Sequence, residues 1–553
     1  MVSEASYTLS GYGIYSQQIL SRLHKSGKYH VAEFASYAAV EDPRDKQPWR
    51  VYPNGLSAQG GNDPRIKQLN SAQVNQFGAW RFEQVLLDFK PDIVFDIRDP
   101  WMFTYQNLSP LRRFFNWAVM PTVDSMPQQD EWMQHFADAD GVFTYSDWGL
   151  DILKNQGGGK IKLISSAPPA INLNEFKPIL NTAEHKRKFF GRDDINVIGT
   201  VMRNQRRKLY PDLLVAFSKF LELCKENGRD DLAAKTYLYF HTSYPEVAGC
   251  WNIPRLLKET GLASKVFFTY ICKNCGHVFA SNFQDARTVC TRCQHAAAVL
   301  PSVSYGLSTP QLNDVYNLFD AYVQYAVCEG FGMPQVEAAG AGVPVFSTDY
   351  SAMTDVVRKL NGTPIKVARM FRSPEEDAWK ALPDNDDCAD KLFKFFSQSV
   401  SARKRKGMEA RKAVEQHYTW DKTYKLWESY FDTVELTGLQ GKWDAPPQFL
   451  RPNANPQDAP TDVPNEDYVD WCLANLYGSS EHVNTLMSMD MVRALNYELA
   501  VQTGAAPVAY SRQHVVDKIQ SMVVNHNQCE EVRCGFAQVP PQDWIEYANR
   551  RPV

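Results

Sequence analysis

The sequence predicts an α/β protein built from two doubly wound lobes that face each other across a cleft. Three observations predict this fold class: short apolar runs alternate with amphipathic stretches, the alternation occurs twice, and a proline-rich segment separates the two series. The 553-residue chain is too long for one ordinary core, and 44% hydrophobic with 22% charged residues is typical of a folded protein.

The first series extends from about residue 11 to residue 165. Its predicted strands are 29–34, 93–97 and 141–145, with a helix over 82–89 and another from about residue 148. Strands that alternate with helices indicate a parallel sheet covered on both faces. The consecutive prolines in 167–170 exclude a helix there and predict an extended linker.

The second series predicts strands at 196–201, 236–241, 265–270, 321–326 and 343–347, with helices over 211–224, 310–319 and 403–434. After it, 445–464 contains six prolines and predicts a linker, and the tail returns to helical spacing. The predicted domains are an N-terminal lobe (1–168), a C-terminal lobe (169–435), a proline-rich linker (436–464) and a helical extension (465–553). The extension is expected either to mediate homo-oligomerisation or to dock an acceptor.

The net charge of −4 provides no overall field that would hold the protein on nucleic acid or on an anionic membrane. No run approaches the roughly 20 apolar residues of a membrane-spanning helix, and the first residues show no secretory signal. The sequence therefore predicts a cytoplasmic protein without a membrane partner.

The most informative segment is 329–345. It places Glu329 and Glu337 eight positions apart, with a glycine-rich turn after the first acid and Pro334 at an early helical position. Such a turn leaves backbone N–H groups directed at a ligand, and the carboxylates can accept hydrogen bonds from sugar hydroxyls. The structural alternative is that both acids only cap the helix.

Two further segments follow predicted strands. Arg203 and Lys208, directly after the strand at 196–201, can converge on one point in the cleft; the alternative is a solvated basic loop. Gly11 and Gly13 open a helix, and a simple tight turn explains them equally well. Only about ten residues precede Gly11, so the first strand must be short.

Acceptor-side candidates are the segment 98–101, which contains Asp99 and Trp101, and Asp124 in the segment 121–125. Both segments follow predicted strands and face the predicted cleft. Either aspartate can orient an acceptor hydroxyl, and turn capping is the structural alternative.

The segment 329–345 closely resembles the E-x7-E signature of the large retaining glycosyltransferase family 4, which has the GT-B fold. Segments 307–320 and 348–357 resemble the family's sequence on either side of that signature, and the resemblance covers about residues 7–435. It implies that Glu329 lies by the donor sugar and Glu337 holds the nucleotide ribose. It also implies donor contacts from the residues Phe331, Gly332, Met333, Gly11 and Gly13, and a diphosphate clamp made of Arg203 and Lys208.

The resemblance implies transfer from a nucleotide-diphosphate sugar, in the first instance a UDP-sugar, with retention and without a catalytic metal or protein nucleophile. Asp124, the catalytic candidate chosen from its position after a predicted strand, would orient the acceptor. One acceptor hypothesis is a hydroxymethylated base in DNA, because the chain also resembles bacteriophage-encoded members that would act in the host cytoplasm; the basic runs 112–113, 186–188 and 403–406 would then line a groove. The alternatives are a carbohydrate or protein acceptor, or a non-catalytic binding module on a degenerate fold.

Two Cys-x2-Cys pairs, separated by fourteen residues, lie inside the second series. The pairs are Cys272 with Cys275 and Cys290 with Cys293. Four thiolates at this spacing predict a structural zinc ribbon, inserted over 271–303. The ribbon is expected either to offer a contact surface for nucleic acid or protein or only to stabilise the lobe.

Overall fold

The structure is a computed structural model, and the residues it describes are 1–39, 42, 44–55, 64, 71–246, 249–284, 288–302, 305–436, 443–447, 449, 458, 471, 521, 524 and 526–535. They form two open sheets covered by helices, together with one separate β-hairpin. The predicted α/β class with two doubly wound lobes is confirmed.

The first sheet contains seven strands in the order β3-β2-β1-β4-β5-β6-β7, and its neighbouring strands pair in parallel. The strands are β1 (Val2–Glu4), β2 (Ala32–Ala39), β3 (Arg50–Gly55), β4 (Ile93–Asp96), β5 (Asn116–Val119), β6 (Gly141–Thr144) and β7 (Leu163–Ser166). The strand order reverses between β1 and β4, which opens a crevice at their carboxyl ends. As predicted, the first strand is short.

The helices of the first lobe are α1 (Gly11–Ser26), α2 (Gln73–Gln76), α3 (Phe82–Phe89), α4 (Asp130–Asp138) and α5 (Asp147–Gly157). The Ser10 hydroxyl caps α1 by accepting the Gly13 N–H, and Gly27 ends it with φ 67°. The predicted helix over 82–89 is confirmed by α3. The strand predicted at 29–34 begins three residues later, because Tyr29 leaves the sheet and packs its ring on Phe431.

The second sheet has the order β11-β10-β9-β8-β13-β14-β15, with β12 also paired to β10. Its strands are β8 (Asn196–Val201), β9 (Thr236–His241), β10 (Val266–Cys272), β11 (Val278–Asn282), β12 (Ala298–Val299), β13 (Ala321–Gln324), β14 (Val345–Thr348) and β15 (Thr363–Ile365). The strands β11 and β12 run antiparallel to β10, so the predicted insertion continues the sheet of this lobe. The strand order reverses between β8 and β13.

The helices of the second half are α6 (Thr182–Phe190), α7 (Tyr210–Glu226), α8 (Asp230–Lys235), α9 (Ile253–Thr260), α10 (Thr309–Tyr316), α11 (Met333–Gly340), α12 (Ala352–Lys359), α13 (Asn385–Phe396), α14 (Val400–His417) and α15 (Trp420–Thr433). A hairpin of β16 (Val367–Ser373) and β17 (Ala378–Pro383), which the sequence analysis did not predict, follows the sheet. No helix in the described ranges is long and apolar enough to cross a bilayer.

Helix α15 returns to the first lobe. The Trp427 ring lies 4.1 Å from the ring of Phe143 between centroids, and its indole N–H donates to the Tyr15 hydroxyl at 2.7 Å. At the surface, Arg22 pairs with Asp421 at 2.9 Å. The last helix of the predicted C-terminal lobe therefore fastens the two halves together. The domain boundaries themselves stay predictions.

Most of the predicted linker and helical extension lies outside the described residues. The part that is described includes a helical stretch at 526–533. Within it, the Arg533 guanidinium donates to the Trp443 carbonyl at 3.0 Å, and the Trp443 ring packs on Phe114 at 4.8 Å between centroids. This stretch therefore packs against the first lobe.

Candidate active site

The loop after β8 is fixed to the end of β13 by backbone hydrogen bonds. The Leu209 N–H donates to the Tyr325 carbonyl, and the Val327 N–H donates to the Arg207 carbonyl, both at 3.0 Å. These bonds lie at the point where the strand order reverses, the usual position of a ligand crevice in an open sheet. The side chains of Arg207 and Lys208 are thereby held beside the segment 329–345.

The carboxylate of Glu329 lies at the centre of this cluster and is 5% exposed. One oxygen accepts from the Lys208 ammonium and from the Gln324 amide, the latter at 2.7 Å, and the other accepts from the Arg207 guanidinium at 2.6 Å. The Glu329 N–H donates to the Ser351 hydroxyl at 2.9 Å. One buried carboxylate thus organises two cations at the crevice.

Lys208 depends on this carboxylate for its charge. Burial lowers the pKa of its ammonium well below the ordinary value, and the neighbouring charge of Arg207 acts in the same direction. The contact with Glu329 opposes both effects. The ion pair with Glu329 therefore favours the charged form of Lys208 against the effect of burial.

Arg203, the other cation of the predicted clamp, lies apart from Glu329. Its guanidinium pairs with Glu246 at 2.5 Å and remains half exposed. Glu246 also accepts from the Asn204 N–H at 2.7 Å and from the Ser243 hydroxyl at 2.6 Å. The structure thus brings Lys208 together with Arg207, which the sequence analysis missed because four cations crowd residues 203–208 and spacing alone did not distinguish them.

The turn after Glu329 leads into α11 as predicted. Gly332 caps the helix with φ 88°, a backbone conformation that side chains other than glycine rarely adopt. The N–H groups of Phe331, Gly332 and Met333 donate to no other described residue, so they are available to a ligand. The Phe331 ring itself is buried and packs edge-on against Tyr418.

Glu337 lies inside α11 and is buried. Its carboxylate accepts from the Tyr316 hydroxyl at 2.6 Å. Burial raises the pKa of Glu337 to about 7, and the hydrogen bond from Tyr316 acts in the opposite direction. Glu337 therefore lies near its titration midpoint at neutral pH.

The first lobe presents the N-terminus of α1 to the N-terminus of α11. A Cβ atom built on Gly11 would lie 4.0 Å from the Met333 sulfur, so the two predicted glycine-rich turns face each other. Gly13 has a packing role: a Cβ there would lie 2.6 Å from the Thr8 carbonyl oxygen, and its N–H donates to the Ser10 hydroxyl. Its predicted donor contact stays a prediction.

The predicted acceptor residue Asp124 lies beside the signature segment. It accepts from the Cys328 thiol at 3.3 Å and from the Ser125 hydroxyl at 2.9 Å. A Cβ on Gly330 would lie 2.4 Å from the Thr122 methyl group, so the lobes touch at this point. The structure therefore places Asp124 at the junction of the two lobes.

The four ribbon cysteines converge. Their sulfur atoms all lie within 4.8 Å of one another, with Cys272 to Cys293 at 3.6 Å and Cys275 to Cys290 at 3.7 Å. Tetrahedral zinc with bonds of about 2.3 Å requires sulfur atoms about 3.8 Å apart, whereas a disulfide requires about 2.05 Å. The donor set therefore fits a zinc ion and not two disulfides.

One residue of each basic run considered for a nucleic-acid groove has a partner within the protein. Lys186 is buried against Asp320 at 2.5 Å, and Arg112 pairs with Asp140 at 3.0 Å. The Arg403 guanidinium donates to the Asn196 side chain at 3.0 Å. These three side chains hold the fold together, whereas Lys188 and residues 404–406 of the same runs are exposed.

No protein-family model matches the sequence, and a search of curated proteins gives no match. Solved structures do match. Sucrose-phosphate synthase from Thermosynechococcus elongatus is 15% identical, with a TM-score of 0.55 over 77% of this chain and 94% of that one. Anabaena HepE, solved with UDP and glucose, is 12% identical, with a TM-score of 0.51 over 78% and 98%.

A glycosyltransferase from Rickettsia africae is 12% identical, with a TM-score of 0.50 over 76% of this chain and 94% of that one. At such identities the likeness establishes the fold. The two facing doubly wound lobes and these matches show that the chain has the GT-B fold.

Proposed function

We propose that this protein is a retaining glycosyltransferase that moves a sugar from a nucleotide-diphosphate donor to an acceptor hydroxyl. The observation that carries the proposal is the cluster of Lys208 and Arg207 on Glu329 at the strand-order reversal of the second sheet. Two buried or half-buried cations at a crevice can neutralise a leaving diphosphate without a metal. The fold is the one on which glycosyltransferases with UDP-sugar donors are built.

In the proposed reaction, all bonds that form or break and the transferred proton belong to the donor and the acceptor. The acceptor oxygen forms a bond to the anomeric carbon, and the bond from that carbon to the β-phosphate oxygen breaks with its electron pair. The acceptor proton passes to the departing phosphate oxygen on the same face, which retains the configuration. Lys208 and Arg207 stabilise the charge that grows on the diphosphate, and the N–H groups of 331–333 hold sugar oxygens.

The experiment is a survey of UDP-, GDP- and ADP-sugars that measures nucleotide release and the anomeric configuration of the product by NMR. We expect one nucleotide class, UDP, to be released, in a product that keeps the donor configuration. The Glu329→Gln variant should lose this release. A wild-type protein that binds and consumes none of these donors would overturn the proposal.

Glu337 gives donor binding a pH dependence. If ribose hydroxyls donate to its ionised carboxylate, UDP binding should strengthen as pH rises through about 7, weakening by up to about tenfold per pH unit below that value. Calorimetric titration with UDP from about pH 6 to pH 8 measures this.

The stability of the free protein should move the other way. The pKa of Glu337 is raised in the folded state, so its stabilising contribution is complete below the unfolded pKa and is lost as pH rises through about 7. Glu337→Gln removes the titrating group and should flatten both profiles. An unchanged UDP profile in that variant would exclude Glu337 as the ribose contact.

The acceptor carries a hydroxyl, and two classes were considered from the sequence: a hydroxymethylated base in DNA, and a carbohydrate or protein. The intramolecular partners of Lys186, Arg112 and Arg403 reduce the support that the basic runs gave to the DNA hypothesis, because these three cations are held by groups of the protein itself. A non-catalytic module is disfavoured because the cation cluster on Glu329 is intact.

We also propose that the four cysteines hold a structural zinc ion. All four ligand positions are thiolates, which leaves no open coordination site for catalysis. The two knuckles repeat each other: the Gly276 N–H returns to the Cys272 carbonyl, and the Gln294 N–H returns to the Cys290 carbonyl. Gly276 and Gln294 both have positive φ, at 67° and 61°. The zinc ion would close the ribbon onto the sheet.

A further inference from the structure

A surface with two exposed aromatic rings lies at the carboxyl edge of the first sheet. Tyr37 lies near the end of β2, Glu4 ends β1, and Asp99 with Trp101 follows β4. Because β2, β1 and β4 are neighbours, the three chain ends meet at the point where the strand order reverses. Neither the cation cluster nor the ribbon uses these side chains.

Tyr37 is held in a strained conformation that turns its ring outward. Its φ is 59°, in the left-handed region that a tyrosine rarely adopts, and the pairing of β2 with β3 shifts register between Ala35 and Ala39. Such an irregularity redirects a side chain out of a strand. The Tyr37 side chain is 54% exposed, so the strain does not serve to bury the ring.

A buried ring supports Tyr37 and Trp101 together. Phe77 packs at right angles to both, with centroid distances of 6.3 Å to Tyr37 and 5.0 Å to Trp101. Trp101 remains 39% exposed. Phe77 thus holds both aromatic side chains in place, while each keeps part of its surface exposed to solvent. We call Tyr37 and Trp101 together the aromatic platform, because exposed rings held in this way can stack on a ligand.

The polar groups beside this platform are carboxylates. Asp99 accepts from the Tyr12 hydroxyl at 2.6 Å, and burial raises the pKa of both Asp99 and Glu4. Glu4 pairs in register with Ser36, the residue before Tyr37, and Asp99 precedes Trp101 by two residues. Arg98, the cation of the same loop, is fully buried in an ion pair with Asp96 at 2.7 Å.

Asp99 also lies close to the second lobe. The Tyr12 hydroxyl that donates to Asp99 is hydrogen-bonded to the Thr122 hydroxyl, and the Thr122 methyl group lies against Gly330, the residue after Glu329. The Asp99 end of the aromatic platform is therefore near the junction of the two lobes. A molecule stacked on the platform would extend toward the reacting sugar.

We propose that Tyr37 and Trp101, with Glu4 and Asp99, form the acceptor subsite, and that it takes a neutral, hydroxyl-rich acceptor, a carbohydrate. This inference rests on the proposed transferase function and names the substrate class of that site. Aromatic faces stack on the C–H faces of sugars, and carboxylates accept hydrogen bonds from their hydroxyls. Two carboxylates repel a phosphate backbone, which disfavours nucleic acid here.

The test compares binding of the full-length wild type and its Tyr37→Ala, Trp101→Ala and Glu4→Gln variants to three probe sets. These are an array of neutral glycans, an array of sulfated glycans, and a duplex oligonucleotide containing hydroxymethylcytosine. We expect wild type to bind neutral glycans, with each alanine variant weakened by about tenfold and the pair together by more. Tyr37→Phe keeps the ring and should bind like wild type.

Three results would overturn the inference: preference for the sulfated glycans or the oligonucleotide, no binding to any neutral glycan, or binding that the alanine variants leave unchanged. UDP release from the donor is measured on the same preparations. If release persists while glycan binding fails as described, only the acceptor assignment is wrong. If no donor is bound or consumed, the transferase proposal itself fails.

Discussion

Replacing Lys208 by methionine is expected to lower sugar transfer by about 10²–10³-fold while leaving the fold intact. Methionine retains most of the buried stem and removes only the ammonium, which is the group in contact with Glu329. Glu329→Gln should cost at least as much, because the amide no longer balances the two cations and burial then favours the neutral form of Lys208. Transfer kinetics and UDP affinity are measured alongside a thermal unfolding curve for each variant.

Arg203→Ala is the matched control for Arg207→Ala, because each variant removes one arginine from the same loop. Arg207 shares the Glu329 carboxylate, whereas Arg203 is half exposed and held by Glu246. We expect Arg207→Ala to approach the loss seen for Lys208→Met, and Arg203→Ala to retain most of the wild-type rate. The reverse result would restore the pairing of Arg203 with Lys208 that the sequence analysis predicted. Wild-type rates in all four variants would place the reaction elsewhere.

The sequence predicted the alternating architecture well, because a buried strand can be recognised from a short apolar run of consecutive residues. Strands β8 and β9 and helix α3 have the predicted bounds. The hairpin of β16 and β17 was missed, since most of β16 is only partly buried and its sequence shows neither a strict alternation nor a continuous apolar run. The continuation of β2 beyond residue 34 was missed because Ser36 and Tyr37 interrupt its apolar run.

The site was predicted only in part, because partner choice is decided by contacts between distant segments. The local pattern identified Glu329 and Lys208, which the structure joins. It did not show that Glu246, 43 residues after Arg203 in the segment that follows the neighbouring strand β9, would hold that arginine. Nor did the sequence place Phe77 beneath Tyr37 and Trp101, since these three residues come from separate segments of the chain.

Removal of the metal from the ribbon should unfold it locally and lower the stability of the second lobe. Cys272 is both the last residue of β10 and one of the four proposed ligands, so the ion would tie this strand to the knuckles. Structural zinc contributes about 10–16 kcal/mol in isolated zinc-finger peptides, and ligand loss there abolishes folding. We expect about one zinc per chain in protein purified without chelator, and Cys275→Ser to abolish it.

Cys250→Ser is the control for the loss of a thiol, because Cys250 is partly exposed and lies outside the cluster.

Hydrogen exchange should then separate the two roles considered for the ribbon. If the ion only stabilises the lobe, Cys275→Ser accelerates exchange in β11 and β12 while UDP affinity stays within about threefold, because the hydrogen-bond partners described for Glu329 and Lys208 lie outside the ribbon. Zinc far below one equivalent, or unchanged exchange in that variant, would refute a structural metal. Loss of acceptor binding with UDP affinity intact would instead make the ribbon a contact surface, since its knuckles follow the carboxyl end of β10, on the cleft edge of the sheet.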